Sequence, residues 1–118
     1  MDRKPLAHVH VLDLAKEGEI KPHVDSVKFC GDTIAGLSLL SSSVMRLIRE
    51  QDPNEIIDVK LNRRSLYIMR NEARYDYSHA ILGIKDSIFN GKTIPRSRRV
   101  SIIFRCEPSP SPSSKIEE

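Results

Sequence analysis

Cysteine is scarce in this chain: Cys30 and Cys106 are the two it has, far apart and in no C-x-x-C pattern. That excludes a disulfide framework and a thiolate zinc site, and a reducing intracellular compartment is expected. No apolar run approaches the ~20 residues of a membrane-spanning helix, so membrane insertion is not expected. Neither sign of charge dominates. Lys and Arg number 19 against 16 Asp and Glu, a net charge of +3, which permits a nucleic-acid partner without demanding one. The first residues show neither the apolar core of a secretory signal nor an Arg- and Ser-rich transit peptide. No internal repeat is visible. What is present, 39% apolar and 30% charged residues in a chain of 118, is ordinary for a globular protein and enough for one domain with a modest core.

Period-two alternation recurs along the chain and predicts short strands separated by turn signals. Residues 8–14 alternate, and residues 16–19 form a polar turn. Pro22 holds residues 20–25 extended, because its ring is incompatible with a helix interior. Residues 27–30 are a short strand candidate, and 33–40 a longer, mostly buried one. Residues 41–51 fit either a helix capped by Ser43 or a strand; a strand is preferred, because a turn at Asp52-Pro53-Asn54 then makes a hairpin with 56–61. A strand over 65–70 follows, then a helical turn over 71–77 with Asn71 as its cap, then extended structure at 78–81. Residues 84–93 are a polar excursion turning at Asn90-Gly91, and 99–106 form the last strand. The Pro- and Ser-rich stretch 108–118 reads as a disordered tail. Many short strands and few helices predict an all-β sandwich or jelly roll.

His23 and Asp25 face the same way on an extended segment, and His79 follows on a distant strand. Two imidazoles and one carboxylate in an H-x-D…H order are the donor set of a facial site that leaves open positions on a non-haem Fe(II). An H-x-D pair alone is common on protein surfaces; the third ligand and the last strand raise its weight. Open positions of that kind accept a bidentate 2-oxo acid and O2. Arg99 and Arg105 are six apart on one strand, so they share a face with Ser101 and Ile103. Arg105, at the end of a largely apolar strand, suits the far carboxylate of an organic-acid cosubstrate, since a guanidinium pairs bidentately with a carboxylate. Tyr67 is either a further hydroxyl donor to that anion or a core tyrosine. His8 and His10 also share a strand face but lack a nearby carboxylate; they are candidates to line the cavity. Arg96 and Arg98 read as solvated charges.

With these residues in view, the chain resembles the AlkB family of Fe(II)- and 2-oxoglutarate-dependent dioxygenases. The resemblance runs through Pro22-His23-Val24-Asp25, Gly36-Leu37-Ser38-Leu39, Ser65-Leu66-Tyr67-Ile68-Met69, Ala73-Arg74-Tyr75-Asp76-Tyr77-Ser78-His79 and Arg98 to Arg105. It is strongest to a mitochondrial branch linked to regulated necrosis and fatty-acid metabolism. The resemblance implies a double-stranded β-helix, with His23, Asp25 and His79 as iron ligands and Tyr67, Arg99 and Arg105 contacting 2-oxoglutarate. It also implies that residues 1–107 correspond to the C-terminal catalytic part of such a domain, incomplete on its N-terminal side and lacking the lid that grips a nucleic-acid base.

The expected function is therefore an Fe(II)-, 2-oxoglutarate- and O2-dependent dioxygenase. It would hydroxylate or demethylate a protein, a small molecule or methylated mitochondrial RNA, as a monomer in the mitochondrial matrix. One rival is a non-catalytic binding module that retains the cofactor site. Another is a basic nucleic-acid binder built on Arg96, Arg98 and Arg99, whose affinity would fall steeply with salt.

Overall fold

Alternation of apolar and polar side chains leaves each strand with one face to bury, and two sheets stacked on those faces are the outcome. The structure is a computed structural model, and it describes residues 4–6 and 9–108. The strands in chain order are β1 (His10–Leu14), β2 (Ile20–His23), β3 (Thr33–Leu39), β4 (Ser43–Arg49), β5 (Asp52–Leu61) and β6 (Ser65–Arg70). A short helix, α1 (Asn71–Tyr75), leads to β7 (Tyr77–Ile81), β8 (Ile88–Phe89), β9 (Lys92–Thr93) and β10 (Arg99–Arg105). One four-stranded sheet has the order β1-β10-β3-β6 and the other β2-β7-β4-β5, while β8 and β9 form a small hairpin. All pairings are antiparallel. This is the expected all-β jelly roll.

The inner faces meet in a core of Ile34, Met45, Leu61, Met69, Ile81 and Ile103. Each such side chain contributes roughly 1.5–3 kcal/mol when fully buried. The outer face of the first sheet is also apolar: Val11, Ile102, Leu37 and Leu66 form one register row across its four strands. Leu66 at its end is 60% exposed.

Residues 43–49 are a strand, as the hairpin argument predicts, because Met45 and Leu47 alternate into the core. Asn90 and Gly91 both take positive φ in the turn between β8 and β9, the geometry that favours this dipeptide in a two-residue hairpin.

Three local expectations are corrected. Residues 27–29 turn instead of forming a strand; Cys30 N–H donates to the Ser26 carbonyl, and no neighbouring strand pairs with the segment among the described residues. Asp52 and Pro53 begin β5, and the turn falls one step earlier, at Glu50 and Gln51. Proline is tolerated there because β5 is an edge strand. Asn71 does not cap α1 with its side chain; it adopts a φ of 54°, which asparagine tolerates, and Arg70 takes the cap position. His8 and the expected disordered tail beyond Pro108 lie outside the described residues.

Gly36 sits on the inner face of β3 opposite Tyr67 of β6, and a Cβ there would overlap the tyrosine ring. We predict that Gly36→Ala destabilises the chain by about 1–3 kcal/mol in urea denaturation, as overpacking does. The penalty should largely vanish in a Tyr67→Ser background; an equal loss in both backgrounds would mean that the ring contact is not its cause.

Candidate metal centre

His23 closes β2 and pairs in register with His79 of β7, so two imidazoles from adjacent strands meet on the inner face of the second sheet. Asp25 follows in the loop after β2 and is buried. His23 Nε2 lies 3.2 Å and His79 Nε2 3.8 Å from Asp25 Oδ1, and the two rings are 4.3 Å apart between centroids. Two donors at right angles on one ion, each ~2.1 Å away, lie ~3 Å apart. The three donor atoms fall within 4.8 Å of one another, so they fit one metal ion with little movement. Their chemistry, two imidazoles and a carboxylate on one side, fits Fe(II) with an open face.

The second carboxylate oxygen of Asp25 accepts from Arg105 Nε at 2.8 Å. Burial raises the Asp25 pKa, but hydrogen bonds from His23 and Arg105 outweigh it, and the group stays far below the ordinary carboxylate value. The same bond with Asp25 raises His23 above the usual histidine range. Burial, with His23 as a like-charged neighbour, pushes His79 down to about 4. His79 is thus a neutral imidazole ready to ligate, although Asp25 stands near it.

The inner face of the first sheet carries a polar row. Arg105 lies at the metal end of β10, followed by Ile103 beside Gly36 and Tyr67, then Ser101 beside Ser38 and Ser65, then Arg99. Arg99 is 2% exposed, and its Nε donates to Ser38 Oγ at 3.1 Å, so its side chain reaches back along the strand toward the metal end. Among the described residues no carboxylate pairs with it, and the buried Ser101 Oγ has no hydrogen-bond partner. Burial, with the Arg96 charge nearby, lowers the pKa of Arg99, which still leaves a guanidinium charged at neutral pH. Burial likewise raises the pKa of Tyr67, keeping its hydroxyl protonated as a donor.

All six predicted residues, His23, Asp25, His79, Tyr67, Arg99 and Arg105, line one cavity with Leu12, Ile34 and Met45. Its volume, about 40 Å³, holds a few water molecules. One placement differs from the sequence reading: Arg105, expected at the far carboxylate, instead grips Asp25 beside the triad, and Arg99 occupies the far end. His10 is exposed and does not line the cavity.

Sequence reasoning passed over Arg74. Its guanidinium, 1% exposed, donates to the carbonyls of Gly31, Asp25, Ser26 and Cys30, clamping the loop that carries Asp25. Its partners are backbone atoms more than forty positions away, so no local pattern announces the role. The stretch preceding His79 in which it sits was the available signal.

The family model for the 2OG-Fe(II) oxygenase superfamily matches residues 8–105. The mitochondrial alpha-ketoglutarate-dependent dioxygenase alkB homolog 7 of Bos taurus is 59% identical over 103 residues, 87% of this chain and 47% of that protein. The protein of the same name from Mus musculus is 53% identical over 117 residues, 99% of this chain and 53% of its own length. The chain therefore spans about half the length of the curated relatives it matches. Among solved structures, OsALKBH1 superposes with a TM-score of 0.63 at 20% identity, over 82% of this chain and 48% of that one. A Pseudomonas putida prolyl-4-hydroxylase gives 0.59 at 14% identity, over 86% and 51%. At these identities the likeness is one of fold.

Two predictions follow from the geometry. Arg74→Met should lower affinity for Co(II), used as a redox-stable probe, by roughly tenfold or more. It should also speed amide exchange at Cys30 and Gly31, which His23→Ala should leave protected; unchanged exchange in Arg74→Met would remove the clamp. In the metal-free chain His23 should protonate first, above its ordinary 6.5, and His79 only near 4, as read by NMR of the imidazole nitrogens. The unfolded chain then takes up the His79 proton before the folded one does, so this group removes stability as pH falls from 6.5 toward 4. His23 does the reverse, adding stability below 6.5 that is lost as pH rises through its raised pKa. Protonation of His79 before His23 would overturn the assignment.

Proposed function

The chain belongs to the 2OG-Fe(II) oxygenase superfamily as an AlkB-like member, and from that premise we propose that it is a dioxygenase that holds Fe(II) on His23, Asp25 and His79. It takes 2-oxoglutarate and O2 as cosubstrates and hydroxylates a C–H bond of its substrate, releasing the group when the carbon is an N-methyl. The observation that carries this reading is Arg99, a buried cation without a carboxylate among the described residues, on the inner face of the first sheet, across from the sheet that bears the two histidines, and reaching toward the metal end.

Bound Fe(II) would supply the redox chemistry that couples oxidation of 2-oxoglutarate to succinate and CO2 with oxidation of the substrate. The chain's own residues do the rest. Asp25 stays ionised because Arg105 holds one of its oxygens, which leaves the other for the metal. His79 stays neutral through burial. The far carboxylate of 2-oxoglutarate is received by Arg99, with Ser38 and the unpartnered Ser101 hydroxyl beside it. Tyr67, protonated and half-buried between the two ends, donates to the same anion. Leu12, Ile34, Met45 and Ile103 wall the cavity with apolar side chains, excluding water that would weaken these contacts. A mitochondrial location is supported by the names of both curated relatives, and within the organelle we propose the matrix.

Anaerobic titration with Fe(II) and then 2-oxoglutarate should produce the visible charge-transfer band of a chelated 2-oxo acid. Arg99→Met should weaken 2-oxoglutarate by roughly 100-fold, the loss expected when one partner of a buried charge pair is removed, and leave Co(II) affinity unchanged. Arg105→Met should weaken both, because it also releases Asp25. Undiminished 2-oxoglutarate binding in Arg99→Met would end this assignment. A chain that binds both cofactors but forms no succinate in air would be a binding module instead.

A further inference from the structure

At the end of the sandwich reached through Arg99, away from the metal, the β3–β4 turn, the end of β5 and residues 92–97 enclose a second cleft of about 490 Å³. Its lining contains four cationic side chains, Lys60, Arg63, Lys92 and Arg96, and no acidic residue among the described ones. Lys60, Arg63 and Lys92 are exposed, whereas Arg96 is only 5% exposed. Arg96 is fixed from behind: its terminal nitrogens donate to the carbonyls of Leu82 at 2.8 Å, Gly18 at 3.1 Å and Ala15 at 3.3 Å. These are neutral acceptors, and its buried Nε has no partner among the described residues. A buried guanidinium normally meets a carboxylate, since an uncompensated interior charge is costly. Among the described residues no carboxylate compensates it, and the lining hydroxyls of Ser42 and Thr93 add donors.

We infer that this cleft is a binding site for a small ligand bearing linked phosphate groups. Several cations spread around one opening suit an anion with many oxygens and more than one charge; a lone carboxylate would be served by one arginine fork. No aromatic side chain lines the cleft among the described residues, so the stacking that retains nucleic-acid bases has no platform there. The phosphates themselves are the recognised group. The site is separate from the metal cavity, with which it shares no lining residue.

Isothermal titration of the chain with inorganic pyrophosphate, without added metal so that chelation does not contribute, tests this. Wild type should bind saturably at one site. Lys60→Ala/Lys92→Ala, two exposed positions outside the core, should bind roughly tenfold more weakly or worse, and Arg105→Met should bind like wild type. The inference is overturned by no saturable binding to the folded chain, by equal binding in the double variant, or by a loss confined to Arg105→Met. Tighter binding of a single-stranded oligonucleotide through the same two lysines would also overturn it, in favour of a nucleic-acid surface.

Discussion

Everything around the centre depends on keeping one buried carboxylate ionised and aimed. Asp25 is 8% exposed, and burial alone would favour its protonated form. Arg105 reverses that preference by donating to one oxygen, and His23 by approaching the other. A lone buried carboxylate would cost several kcal/mol, so the arginine and the carboxylate are stable only as a pair. The backbone needs equal control, because Asp25 sits beyond the end of β2, where no sheet ladder fixes it. Arg74 replaces that ladder with four carbonyl contacts. Because Arg74 belongs to α1, which runs directly into β7, the clamp ties the loop bearing Asp25 to the strand bearing His79. Ligands more than fifty positions apart are thus held by the sheet register of β2 on β7 and by one guanidinium.

The polar row on the first sheet is the other half of the design. Strand periodicity puts Arg99, Ser101, Ile103 and Arg105 on one face, and pairing with β3 and β6 adds Ser38, Gly36, Ser65 and Tyr67 to it. Six residues of strand span roughly 20 Å, which separates the two arginines widely at the backbone. Arg99 leans back to Ser38 and shortens that span toward the length of an extended diacid. Gly36 lets the Tyr67 ring lie across the strand where any Cβ would obstruct it. A trench of donors thus runs through an otherwise aliphatic sandwich, and its geometry is set by register more than by any loop.

What was legible in the sequence was whatever obeys period two. The alternation of residues 99–105 places both arginines inward, and His23 and His79 meet because the extended strands carrying them pair in register, with Asp25 brought in by the loop after β2. The strand over residues 43–49 was legible for the same reason, once hairpin logic decided against a helix. Features set by distant partners were not. Residues 27–30 have strand composition but no available neighbour, and Arg74 holds their backbone in turns. Asn71 looks like a cap and instead absorbs a positive φ between β6 and α1. Arg105 follows an apolar run, which suggests a deep role; only the fold brings the Asp25 loop to that end of β10. Arg96 reads as a solvated charge and proves buried because two loops wrap three carbonyls around it.

Arg96 and Arg99, three positions apart, are near enough for the charge of one to lower the pKa of the other. Two like charges buried together, with carbonyls and one serine hydroxyl as partners, are a strained arrangement in a low dielectric. Replacing either by an apolar residue of similar volume would relieve that repulsion, so stability of the empty fold is a poor reason for both to be present. Their different surroundings separate what each can meet. Arg99 lines the cavity it shares with the metal ligands, walled largely by apolar side chains. Arg96 backs onto an open cleft with three further cations at its rim. An anion on either side would lessen the repulsion felt by the other guanidinium.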